Sequence, residues 1–84
     1  MGQKIKTQNE QVYKTQKVAA NCRSITFEIQ TGSAPCSIDD YPLVINRPYS
    51  INLYPGELNV SNYQVTWGSP GTKVLYITRE LEVK

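Results

Sequence analysis

Apolar residues in this chain alternate with polar ones in short runs, and those runs begin only after residue 23. Ser24-Ile25-Thr26-Phe27-Glu28-Ile29-Gln30 sets Ile25, Phe27 and Ile29 on one face and polar side chains on the other, the period-two pattern of a half-buried strand. Tyr49-Ser50-Ile51-Asn52-Leu53 and Tyr63-Gln64-Val65-Thr66-Trp67 repeat it, and Leu43-Val44-Ile45 reads as a further short apolar strand. In residues 73–83, Leu75, Ile77, Leu81 and Val83 share a face that Arg79 interrupts, which predicts a bulge or the edge of the core at that point. No stretch in this part carries a helical period. Breaks spaced by about 8–12 residues predict an all-β fold: a small antiparallel β-sandwich or barrel of five to six short strands.

The breaks have a chemistry of their own. Tyr54-Pro55-Gly56-Glu57 and Ser69-Pro70-Gly71-Thr72 both put Pro second and Gly third, where a type II turn wants a fixed φ and then a positive one. Thr31-Gly32-Ser33-Ala34-Pro35 is a turn-rich break, and Asp39-Asp40-Tyr41-Pro42 is a second loop.

Residues 1–22 read differently. Ile5, Val12 and Val18 are isolated among Gln, Lys, Thr and Asn. Up to residue 23 the chain carries Lys4, Lys6, Lys14, Lys17 and Arg23 against Glu10 alone, a local charge of +4 within a total of +2. This predicts an extended, basic and polar N-terminal arm over 1–22, joined to a β-domain over 23–84. Too little apolar surface lies in such a segment to offset a backbone ordering cost of about 1–2 kcal/mol per residue, so its order is expected to come from another molecule. A body of about 60 residues buries only about 60% of its unfolded surface, which makes oligomerisation a common route to stability.

Several functions are disfavoured by residue type. The chain has no His, which removes the commonest general base and the Ser-His and Cys-His pairings. With only two Cys, one chain cannot assemble the usual four-ligand zinc sets, and no cofactor motif is present. Asp39-Asp40 lacks the spaced ligands of a calcium loop and reads as an acidic, solvated turn. A non-enzymatic protein without cofactor or metal is expected. Cys22 and Cys36 are expected as free thiols, on the assumption that the break after residue 30 folds Cys36 back beside the preceding strand and leaves Cys22 out of reach. No apolar run approaches the ~18 residues of a membrane span, no secretory h-region is seen at the N-terminus, and Asn59-Val60-Ser61 is therefore read as a chance glycosylation sequon.

Six Tyr against one Phe is a high ratio, because a buried hydroxyl needs a partner while Tyr suits surfaces that are half dry. Tyr63, Trp67 and Tyr49 are assigned to the core. Tyr13, Tyr41 and Tyr54 are candidate partner contacts, together with the arm cations Lys4, Lys6, Lys14, Lys17 and Arg23. Other protein subunits, including copies of the same chain, are the expected partners. A glycan stacked on Tyr and Trp, or a nucleic acid held by the basic arm, are the alternatives; the lysines are thinly spread for phosphate binding.

The succession from Pro42-Leu43 through Tyr54-Pro55-Gly56-Glu57, Asn62-Tyr63-Gln64-Val65-Thr66-Trp67 and Gly71-Thr72-Lys73-Val74-Leu75-Tyr76-Ile77-Thr78-Arg79 resembles small all-β virion proteins of bacteriophages: head-associated, vertex, decoration or tail-attachment subunits. The resemblance covers roughly residues 24–80. It implies a capsid-associated structural subunit used in many copies, made in the host cytoplasm and incorporated in the virion, and it transfers no binding residue.

Overall fold

The computed structural model describes residues 4–54 and 56–83, and the side chains of Lys4, Ile5, Glu82 and Val83 lie outside that description. Among the described residues there is no helix. Eight strands run in order: β1 (Lys4–Val12), β2 (Gln16–Ala19), β3 (Ser24–Glu28), β4 (Cys36–Ile38), β5 (Tyr41–Pro42), β6 (Tyr49–Asn52), β7 (Asn62–Trp67) and β8 (Leu75–Val83). They form two four-stranded antiparallel sheets, ordered β1-β8-β3-β6 and β2-β7-β4-β5. The all-β expectation holds, with eight strands rather than five or six. The segment expected as an extended arm supplies β1 and β2, one edge strand for each sheet.

Connectivity explains why both sheets need that segment. Every connection except β4 to β5 crosses from one sheet to the other, so almost no strand pairs with its sequence neighbour. The two chain ends meet in one nine-pair ladder, from Lys4↔Val83 to Val12↔Leu75. The core lies between the sheets. Ile25, Phe27, Leu75 and Ile77 come from the first and Val18, Cys36, Ile38, Tyr63 and Val65 from the second, with Trp67 and Leu81 packed against them. Phe27 and Tyr63 meet edge-on across the interface at 5.6 Å. Val12, Val18 and Ala20, from the supposed arm, are at most 3% exposed.

The turns expected at residues 54–57 and at Asp39-Asp40 are found, and other breaks are revised. Glu57 N donates to Tyr54 O at 3.0 Å and Gly56 has φ +89°, as a type II turn requires; Pro55 itself lies outside the described residues. Around Pro70 the expectation fails. The Ser69-Pro70 bond is cis, and Thr72 N donates to Gly32 O at 3.0 Å rather than back to Ser69. There the chain runs alongside Ser33 in a parallel bridge, so close that a Cβ on Gly71 would lie 2.4 Å from Ala34 N. Asp39 and Asp40 both have positive φ (48° and 68°) and join β4 to β5, the geometry of a two-residue primed hairpin turn. Leu43-Val44-Ile45 is no strand. Leu43 is buried, while Val44 and Ile45 stand exposed in a turn closed by Arg47 N donating to Val44 O at 3.0 Å.

Candidate functional site

Arg79 is the least expected residue of the interior. The ladder runs through it without a bulge, opposite Gln8 on one side and Ile25 on the other, and it is only 7% exposed. Its Nε and Nη2 donate to Ala19 O in the other sheet's edge segment, at 3.3 and 2.9 Å, and its Nη1 meets Glu10 Oε1 at 2.7 Å. Arg79 therefore ties β8 to β1 and to the end of β2 at once. Beside it, Cys22 and Asn59 exchange backbone hydrogen bonds (3.2 and 2.8 Å), and Asn59 Nδ2 donates to Tyr63 Oη at 2.7 Å. Buried at 6% exposure and committed to Tyr63, Asn59 offers no accessible amide for a glycan.

Both cysteines are free and buried, as expected, but for a different reason. β3 and β4 belong to different sheets, so no hairpin sets their spacing. Cys22 bridges Asn59 ahead of β7, and Cys36 faces Trp67 at the far end of the same strand. Burial pushes the Cys36 thiol up to about 11. It raises Cys22 as well, against a smaller opposing pull from Arg79 and a backbone hydrogen bond at Ser24. Thiols held in the protonated form are poor nucleophiles.

The predicted partner contacts do not converge. Lys6 is exposed on β1 opposite Leu81, Lys14 stands in the turn after β1, and Lys17 is exposed on β2 opposite Gln64. Arg23 sits half-buried before β3. The Lys4 side chain lies outside the described residues. Of the tyrosines, Tyr13 is 58% exposed beyond β1, with its hydroxyl on Gln11 Oε1. Tyr54 is 81% exposed in the loop after β6. Tyr41 belongs to a group.

That group presents apolar side chains to solvent, as do Tyr54, Leu58 and Val60 in the connection from β6 to β7. The Tyr41 ring stacks on Tyr49 at 4.4 Å and 19°, Tyr49 stacks on Phe27 at 6.3 Å, and Phe27 meets Tyr63. A file of four rings thus runs from solvent into the core. At its outer end lies a shallow hollow of about 240 Å³ lined by Tyr41, Val44, Arg47, Pro48 and Tyr49; Val44 is 53% exposed, and Ile45, next in the same turn, is 43% exposed. This rim joins β5 and β6, the last strands of the two sheets, so it lies on the opposite side of the sandwich from β1 and β2. In the sequence Tyr41 reads as a candidate contact and Val44 and Ile45 as part of a strand; Asn46-Arg47-Pro48, read as the end of that strand, belongs instead to a turn that already includes Val44 and Ile45. Trp67, half-buried, packs against the core with its Nε1 buried and without a partner among the described residues. Compared with known protein families, curated proteins and solved structures, the chain matches none of them.

Proposed function

We propose that this chain is a non-enzymatic structural subunit that assembles in many copies through protein contacts, as a component of a particle such as a bacteriophage virion. The Tyr41-Val44-Ile45 rim carries this reading. Its aromatic anchor, Tyr41, is held by stacking on Tyr49, which itself stacks on Phe27, so little side-chain freedom remains to be lost on docking. Anchored aromatics ringed by aliphatic side chains are the surfaces on which binding energy concentrates. The cations, by contrast, are scattered over both sheets and the connecting turn, which favours a protein partner over nucleic acid.

Sedimentation over a wide concentration range tests the proposal. The expected result is mass growing beyond a dimer, with Val44→Ser/Ile45→Ser suppressing that growth while the circular dichroism spectrum and melting stay native. A protein that never exceeds a dimer, or whose growth ignores the rim variant, would overturn it.

A further inference from the structure

The four sheet edges are unequal. β2, β5 and β6 present four, two and four residues, whereas β1 presents nine, about 30 Å of strand at 3.4 Å per residue. β1 is hydrogen-bonded on one side only, to β8. A row of outward N–H and C=O groups of that length is a template for another strand. Residues 6–11 on it are all exposed, so the described residues leave their side chains open to solvent.

We infer that a second copy of this chain docks on β1, antiparallel and centred on Gln8, to make one continuous eight-stranded sheet across a two-fold axis. Charge selects this register. With Gln8 opposite its own copy, Lys6 faces Glu10 of the second copy and Glu10 faces its Lys6, while Thr7 faces Asn9. Lys6 and Glu10 lie on the same face of the strand, because side chains alternate. Glu10 is held in place by Arg79 and its side chain remains 42% exposed, open to a second cation. Parallel pairing, or antiparallel pairing centred on Lys6, would instead set Lys6 against Lys6, and like charges directly opposite destabilise a sheet. Lys6 thus both blocks wrong pairings of a long open edge and marks the right one.

This inference rests on the structural-subunit reading and names one of its contacts. With the rim on the opposite edge, two different self-contacts per subunit would propagate into an open array.

Gln8→Cys tests it directly, since Gln8 is exposed and the native thiols are buried. Under mild oxidation the expected product is a disulfide-linked dimer of twice 9.5 kDa. It should form at least about tenfold faster than the Asn9→Cys product, because a bridge needs Cα atoms within about 7 Å and only position 8 meets itself. Lys6→Glu should weaken the wild-type dimer in low salt while leaving the monomer folded. Equal cross-linking rates for the two cysteine variants, or a dimer indifferent to Lys6→Glu, would overturn the proposed contact. Growth that depends on the rim, without a Gln8 cross-link, would sink this contact alone. A Gln8 cross-link with no growth past the dimer would keep the β1 contact and sink the many-copy reading.

Discussion

β1 and β3 flank the same central strand, β8, and are held there by different means. β3 turns Ile25 and Phe27 inward, with Ile29 buried just past its end, all at most 1% exposed, and apolar burial of about 25 cal/mol per Å² holds it. On β1 the corresponding positions are Gln8, Glu10 and Val12, of which only Val12 is buried. What fixes β1 is the nine-pair ladder and the Arg79 contact that reaches both Glu10 and Ala19. An edge strand at the end of a sandwich can therefore be part of the fold with almost no apolar alternation, provided a buried cation gives its inner face something to meet.

The most severe way to break this comparison is to remove residues 2–20. If β1 and β2 are integral, the remainder loses both edge strands, three core residues and the partners of Arg79, and the expected outcome is loss of cooperative thermal unfolding. A truncated product that still melts cooperatively would make the segment an appendage. Next comes Phe27→Ala on the dry side, expected to cost about 3–5 kcal/mol in urea unfolding. Arg79→Ala on the polar side should cost about 2–4 kcal/mol. It strands the Ala19 carbonyl and Glu10, although the exposure of Glu10 moderates the loss. If Arg79→Ala cost less than about 1 kcal/mol, the ladder alone would suffice to hold β1.

The smallest expected effect sharpens the dry side. Burial raises the Cys36 thiol from 9.0 to about 11, so above pH 9 the unfolded chain gives up this proton before the folded one. Stability should therefore be nearly unaffected by this group well below pH 9 and fall between 9 and 11, by about 1 kcal/mol from pH 9 to pH 10. The slope should shrink by that amount in Cys36→Ala, measured by chemical unfolding at pH 9 and 10.

Legibility in the sequence follows the same division. β3, β6, β7 and β8 could be read from alternation, because their inner residues meet an apolar interior and one apolar side chain in two is a strong local signal. β1 and β2 could not. Their partners, β8 and β7, lie more than 40 residues away in sequence, and what β1 shares with its partner is backbone hydrogen bonding that any residue except Pro can supply. β4, three residues long, is too short to show a period. Val44 and Ile45 misled in the opposite direction: apolar residues suggested a strand, but the turn at Asn46, with φ +62°, takes them to the surface. The exposure of Tyr41 was legible because it sits beside a turn. Its stacking on Tyr49 was not, since β5 and β6 lie in different sheets.

By itself, the sequence determined that this chain is all-β and where half of its strands run, because period-two alternation acts locally. Only the tertiary structure decided that the basic N-terminal stretch closes both sheets, that Arg79 belongs inside, and that Val44 and Ile45 belong outside. Each of those outcomes depends on which distant segment arrives alongside, and a cation or an apolar side chain settles according to the partner it meets there rather than its own hydropathy.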